Sequence, residues 1–535
     1  MTFKSHFLNV ALCATTAFLF FVTIHYLITV INFHMAAKKS NKSNSPPLAP
    51  HMIPLFGNLP LRFIWDAHKF VCSSRYAFGC SYPIRVKLMF QEFYIVQGAS
   101  NVLALYKNPT LSAFFLHGYL LTHVFSLPSS AVSTYYRDNS GDIEKPFEDS
   151  SVDPHNRVEF LSRSTFLRLL SGPGYAPLRA RFEHNIAQRL QSLSVSQDWT
   201  PIGNLMDIFH HQVTGAVIDS LCGTFLLNQH PEFTRDLWAL DSNVTTFFVK
   251  TPRFLASGVY KNREKLRTWG QNFSPECVDA DNDDPYWGTK FFRDRHDMFL
   301  KMDGFDVDAV ASEELAFIWA TNTNSIISAF WTTLEVFKDQ QLLDQVRAEV
   351  ESCKKADSTV DLRFDVSKLL TQPLLQSVYA ETLRLRVNGF LLRRSDRTDL
   401  DINGWKIPKN RLCVTSSTPG HMDPNIWCTG TNMHHPTNEF WAGRFLKENR
   451  STGEVEFSFK GTEGSWVPFG TGSHSCPGRN FAKVVALFVV AQMVSRYDCE
   501  VLADNASMKM GSKSVGFGTL RPVGKIPVRI RRRPA

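Results

Sequence analysis

The stretch Trp466-Val-Pro-Phe469-Gly470-Thr-Gly472-Ser-His474-Ser-Cys476-Pro-Gly478-Arg-Asn-Phe-Ala482 decides how the chain is read. A glycine-bearing loop runs into an apolar segment, residues 481–494, which predicts a helix starting just after Cys476. The sulfur then lies at a helix N-terminus among free backbone N–H groups, a setting that stabilises a thiolate. Gly472 and Gly478 are expected at positive φ, where the missing side chain lets a large flat ligand approach the backbone. The plainer reading is a buried structural cysteine beside a helix start.

The spacing Phe469-x-x-Gly472-x-x-x-Cys476-x-Gly478 resembles the haem-binding signature of the cytochromes P-450. The resemblance implies that Cys476 is the axial ligand of haem b (iron protoporphyrin IX), with Phe469 and Gly478 beside the cofactor. His474 stands where that family carries an arginine reaching a haem propionate. A histidine can donate the same hydrogen bond, but its charge depends on pH.

At 535 residues the chain accommodates one large domain with an anchor. Aromatic content is 13% with 43 Phe, enough to line a large apolar core or pocket. The ten cysteines form no CxxC pair and no regular framework, which places the catalytic part in a reducing compartment. A net charge of +8 without a concentrated basic and aromatic tract suits an acidic partner or a membrane surface better than a nucleic acid. Residues 7–31 are uncharged and mostly apolar, long enough to cross a bilayer, which needs ~20 residues. Lys38, Lys39 and Lys42 follow, and the positive-inside bias puts the rest of the chain in the cytosol. A cleaved signal peptide is the alternative, but its apolar region is shorter, roughly 7–15 residues.

The organisation expected is an anchor over 1–34, a polar and Pro-rich hinge over 35–58, and a catalytic domain over 59–535. Prolines 46, 47, 50 and 54 make the hinge stiff and extended. Residues 83–98 alternate as a short hairpin, and 138–153 read as an exposed acidic loop. Helices are expected over 206–221, 233–249, 307–337 and 372–386, with a polar Asp-rich connection around 279–285. Residues 400–408 read as a strand and turn, and His421, His434 and His435 as solvated or capping rather than metal ligands. Arg529 and Arg531 to Arg533 read as a solvated basic end.

Other motifs extend the resemblance. Tyr175 and Arg179, four apart on one helical face, take the places of a Trp-x-x-x-Arg pair that contacts the haem propionates. Glu381-Thr-Leu-Arg384, followed by Arg444, resembles the structural Glu-Arg-Arg triad. Arg393 matches a strand arginine that pairs with a propionate, and residues 514–519 match the final hairpin whose tip enters the pocket. In the 307–337 helix, Thr321, Asn322, Thr323 and Asn324 compete for backbone hydrogen bonds, so a local bulge or water site is expected. On the family pattern Thr323 takes the place of an acid and Asn324 that of a threonine, which makes them the candidate proton-delivery residues. The phrase Trp319-Ala320, then Asn324, then Phe330-Trp331, looks most like the sterol hydroxylase and prostacyclin synthase branch.

The fold implied is mainly α with a small β region, a cytochrome P-450 fold preceded by one transmembrane helix. The activity implied is a haem-thiolate monooxygenase acting on an apolar steroid-, terpenoid- or other secondary-metabolite-like molecule. It would use O2 and NADPH-derived electrons from a flavoprotein reductase, with cytochrome b5 as a further partner, at the endoplasmic reticulum membrane. Two alternatives stay open: a haem-thiolate isomerase or dehydratase independent of NADPH, and a non-catalytic membrane haem protein.

Overall fold

A computed structural model describes residues 2–38, 44–53, 57, 69–72, 82–88, 91–271, 288–355, 363–449, 451, 453–472, 475–511 and 516–534. His474, Lys39, Lys42, the 279–285 connection, parts of the hinge and residues 514–515 lie outside them. The chain divides into two compact units. One is Met1–Ala113, Asn388–Ile426 and Gly461–Ser475; the other is Phe114–Val387, Trp427–Lys460 and Cys476–Ala535.

The first unit carries helices α1 (Thr2–Lys38) and α2 (Ala99–Tyr106) and most of the strands. Within α1, Leu12–Ala37 is long and apolar enough to cross a membrane by length and composition, with mean hydropathy 1.9. Its apolar side chains point outward, as at Phe18 and Phe20, 61% and 68% exposed. The hydroxyls of Thr16 and Thr23 donate to carbonyls four residues back, so α1 hides its own polar groups. Its last turns behave differently. Phe33 is 1% exposed and joins Ala49, Val71, Ile84, Phe93 and Val414 in one apolar cluster.

Strands β1 (Ile84–Leu88) and β2 (Gln91–Ile95) form the expected antiparallel hairpin, Ile84 opposite Ile95. The Pro-rich segment adds to its edge: Ala49 N–H donates to Arg85 O and Arg85 N–H to Pro47 O. Next come β3 (Val387–Ser395), β4 (Leu400–Ile402), β5 (Trp405–Ile407) and β6 (Leu412–Ser416). The sheet order is β1-β2-β6-β3, with β2 and β6 parallel and β6 and β3 antiparallel. β4 and β5 form a tight hairpin because Asn403 and Gly404 take φ of 52° and 90°, the geometry of a type I′ turn. His421 departs from expectation. It is fully buried, and its Nε2 accepts from Val467 N–H at 3.2 Å.

The second unit is helical. Its longer helices include α3 (Ser129–Arg137), α4 (Val158–Leu170), α5 (Tyr175–Gln191), α6 (Thr214–Cys222), α7 (Phe233–Ser242), α8 (Ser257–Gln271), α9 (Lys290–Leu300), α10 (Val307–Lys338), α11 (Gln340–Glu351), α12 (Pro373–Arg386) and α13 (Arg479–Arg496). α10 starts where the Asp306 side chain accepts from Ala309 N–H, and it packs against α8, α12 and α13. Both α10 and α13 are buried over most of their surface, which explains why they read as apolar nearly all round.

Several expectations are corrected here. The 206–221 helix contains a π-helical turn at Phe209–Val213, where Thr214 Oγ1 donates to Phe209 O. The 233–249 helix breaks at Asn243. The 138–153 loop is irregular but not simply exposed: Arg157, itself buried, donates to Ser140 Oγ at 3.1 Å and Glu144 O at 2.7 Å and gathers the loop around it. The basic end is not a solvated tail. It forms strand β9 (Val528–Arg532), paired with β7 (Tyr497–Val501) and with Thr200–Ile202. There Arg531 Nε donates to Asp498 Oδ2 at 3.1 Å and Arg529 Nε to Glu500 Oε2 at 2.5 Å.

Candidate active site

Cys476 sits at the first residue past the loop, two residues before Gly478 caps α13. The residue is exposed, although protein crowds the thiol. Burial pushes the thiol above its ordinary value, while the backbone N–H groups of Gly478 and Arg479 and the Arg479 guanidinium pull it back. A metal ion binding there would displace the proton and gain those N–H groups as partners of the thiolate. Of the two glycines expected at positive φ, Gly472 is at 65° but Gly478 is at φ −80°, ψ 0°. A Cβ at Gly478 would sit 3.7 Å from Cys476 Sγ, an ordinary contact, so neither conformation nor packing of the polypeptide alone demands a glycine there.

The second unit brings Tyr175 to the start of α13. Its hydroxyl lies 3.5 Å from Asn480 O, and Ser171 Oγ donates to Pro477 O at 3.2 Å, so α4 and α5 flank the cysteine. Arg179 points along α5, with Nε 3.1 Å from Glu183 Oε1. Glu183 is raised above the usual carboxylate range by burial, an effect that Arg179 only partly offsets. In the first unit, the Arg393 guanidinium lies 5.6 Å above the Tyr106 ring and donates to Leu392 O. Its Nε is buried with no hydrogen-bond partner. A buried guanidinium N–H left without a partner fits an anionic group such as a haem propionate. Phe469 lies in the same unit as Arg393.

α10 runs through its polar centre without a bulge. The competing side chains bond back onto the helix instead: Thr321 Oγ1 to Phe317 O at 2.9 Å, Asn322 Nδ2 to Ile318 O at 2.8 Å, Ser325 Oγ to Thr321 O at 2.6 Å. Ala320 and Asn324, one turn apart, are exposed on a helix otherwise mostly buried, which marks one open stripe. Thr323 is 6% exposed and its Oγ1 is buried without a partner. Asn324 Oδ1 accepts from Thr519 N–H at 2.8 Å, which ties the helix to β8 (Phe517–Thr519). Thr323, Asn324 and Thr519 line one cleft that opens to solvent, about 470 Å³ with the open mouth counted and about 30 Å³ of enclosed space.

Glu381, Arg384 and Arg444 meet as a fully buried network. Arg384 Nε and Nη2 reach the Glu381 carboxylate at 2.7 and 2.8 Å, and Arg444 Nε reaches it at 2.8 Å. Arg444 also donates to the carbonyls of Pro436 and Glu439, and His435 stacks on Trp441 beside it. The network therefore fastens α12 to the irregular stretch before the cysteine loop. Sequence reasoning missed Asp241, Trp319 and Arg521 as site residues. Asp241 and Arg521 are 280 positions apart and carry no spacing signal, whereas Trp319 was visible only as part of a motif.

The Cytochrome P450 family model matches residues 264–528. The chain is 32% identical to cytochrome P450 monooxygenase fsoE of Humicola fuscoatra, over 97% of this chain and 95% of the relative. It is 29% identical to monooxygenase efuG of Hormonema carpetanum, covering 93% and 92%, and 28% identical to monooxygenase calL of Penicillium decumbens, covering 86% of each.

Proposed function

The chain belongs to the cytochrome P450 family and is a P450 monooxygenase, and from that premise we propose that it oxidises a small, largely apolar molecule of secondary-metabolite type. The observation that carries the reading is the open Cys476 side chain at the N-terminus of α13, in a chain that aligns end to end with a P450 monooxygenase. Cys476 would be the axial ligand and Arg393, Tyr175 and Arg179 the propionate partners; Arg179 would have to share itself with Glu183. When bound, a thiolate-ligated haem supplies oxygen activation with O2 and NADPH-derived electrons. Electrons would come through a flavoprotein reductase, with cytochrome b5 as a further donor.

The chain's own contribution at the oxygen side is orientation and proton supply. Asn324 spends Oδ1 on Thr519 N–H, so its Nδ2 is the group left to direct a water. A neutral amide does not titrate, so Asn324 orients and does not transfer a proton. Thr323 Oγ1, buried and without a partner, is the hydroxyl able to pass one on. Glu381, Arg384 and Arg444 hold α12 to the irregular stretch that precedes the cysteine loop. α1 would anchor the enzyme in the endoplasmic reticulum membrane with the catalytic part cytosolic. The branch resemblance to sterol hydroxylases and prostacyclin synthase rests on the α10 phrase alone.

The test is the carbon monoxide difference spectrum of the membrane-bound protein, reduced first with dithionite and then with NADPH and a P450 reductase. A thiolate-type Soret band with both reductants is expected. A band with dithionite alone would refute the electron route, and no band in folded protein would refute the haem-thiolate assignment.

A further inference from the structure

The cleft beside the middle of α10 is lined mostly by polar side chains, which an enzyme for plain hydrocarbons does not need. Asp241, Ser242, Thr245, Thr519 and Arg521 line it together with Thr323 and Asn324. Arg521 is held from several sides. Its Nη1 donates to Ser242 Oγ at 2.8 Å, its Nη2 pairs with the Asp241 carboxylate, and its guanidinium lies 4.9 Å above the Trp238 ring. Asp241 is fixed in turn, since its Oδ1 accepts from Trp319 Nε1 at 2.8 Å. Behind the arginine, His210 stacks on Trp238 at 4.1 Å, and Trp238 Nε1 donates to Thr214 Oγ1. Side-chain exposure is 22% for Arg521 and 14% for Asp241, so the pair is largely desolvated yet reaches the cleft.

Charge decides what such a pair can bind. Arg521 is the single cation among the described lining residues, and Asp241 already neutralises it. A carboxylate ligand would add an uncompensated negative charge next to Asp241, which a low-dielectric site penalises. A hydrocarbon would strip water from both partners and return nothing. A hydroxyl group can accept from one of the guanidinium's five N–H donors while donating to the carboxylate.

We propose that Arg521 and Asp241 form a specificity subsite for a hydroxyl group, so that the enzyme takes a neutral, already hydroxylated molecule with an otherwise apolar skeleton. The alcohol sits on the pair, and the skeleton lies against Val244, Trp319 and Ile327, the apolar residues of the same lining. An earlier oxygenation or hydration must therefore supply the substrate. This inference rests on the P450 reading above and deepens it.

The test uses the full-length haem-loaded protein in detergent and a probe series on one skeleton: 5α-androstane, 5α-androstan-3β-ol and the corresponding 3-carboxylate. Affinities are measured by isothermal titration calorimetry, which does not depend on the haem spectrum, and the carbon monoxide spectrum is recorded first. The alcohol should bind at least about tenfold more tightly than the hydrocarbon, since the bond is to charged groups, and more tightly than the carboxylate. Asp241→Asn leaves Arg521 uncompensated, so it should weaken alcohol binding and raise carboxylate affinity about tenfold, inverting the preference. Equal affinity of hydrocarbon and alcohol for the wild type, or no measurable binding of the alcohol, would overturn the subsite whatever the variant does. An unchanged order of preference in folded Asp241→Asn would do the same. Loss of the carbon monoxide band would instead sink the haem assignment.

Discussion

Glu381 is where a single atom change should cost most. One carboxylate serves two guanidinium groups and also accepts from Trp441 N–H at 3.2 Å, and all three side chains are 0% exposed. Glu381→Gln keeps the volume but turns one acceptor oxygen into an N–H2 group that faces donors. Two buried cations are then left with one carbonyl oxygen between them. Removing one partner of a buried pair costs about 3–5 kcal/mol, and a shared partner puts this site at the upper end of that range. The bonds from Arg384 to Thr437 O and from Arg444 to Pro436 O remain, so the arginines cannot swing out to water without unfolding the loop. Glu183→Gln is the matched control. Its pair with Arg179 is 25–30% exposed and four residues apart on one helix, and burial of the carboxyl works against the pair, so a change of no more than about 0.5 kcal/mol in either direction is expected. Urea titration followed by far-ultraviolet circular dichroism reads both, with bound haem assayed in parallel, and a midpoint shift at unchanged slope measures the loss. A Glu381→Gln protein within about 1 kcal/mol of the Glu183→Gln protein would refute the argument that this network holds the fold.

Cys476→Ser should leave the far-ultraviolet spectrum near wild type, because the residue is exposed, while abolishing the thiolate-type carbon monoxide band; persistence of that band would exclude Cys476 as the ligand. His210 is held down to about 3, first by burial and then by Arg521 and His211, against an ordinary 6.5. The unfolded chain therefore binds a proton here below pH 6.5 that the folded chain refuses until about 3, so stability should fall as pH drops through that window. His210→Phe, which keeps a ring on Trp238, should flatten that decline, and an unchanged slope would count against the assignment. If α1 is the anchor we propose, removing residues 2–27 should release the protein from membranes at the small cost of the His25–His51 ring contact. Removing residues 2–38 also strips Phe33 from the sheet cluster and should cost about 3–5 kcal/mol more, so equal stability of the two shortened chains would show that Phe33 contributes nothing.

The helices over 307–337 and 372–386 were legible because a continuous apolar pattern with a clear start, Asp306 or Pro373, leaves few alternatives. The hairpin over 83–98 was legible by alternation, and the turn at Asn403-Gly404 by its chemistry. The failures have physical causes. Four polar residues in a row suggested a disrupted helix, but the side chains of Thr321 and Asn322 bonded to carbonyls one turn back, Asn324 accepted from Thr519 N–H, and the ladder survived. The C-terminal arginines suggested a solvated end, since their partners Glu500 and Asp498 are about thirty positions away and are reached only through strand pairing.

By itself the sequence pointed to the family, which its relatives bear out, and singled out Cys476 as the candidate ligand, because a loop of fixed spacing entering an apolar helix is local and its chemistry depends on residues adjacent in the chain. It also determined that one N-terminal segment is apolar enough to cross a bilayer. Only the tertiary structure decided that Phe33 belongs to the sheet core, that Asn324 is tied to Thr519, and that Arg521 meets Asp241 at a cleft. The Asn324–Thr519 and Asp241–Arg521 contacts join residues 195 and 280 positions apart, and neither partner carries a mark of the other until folding brings them together and burial removes water.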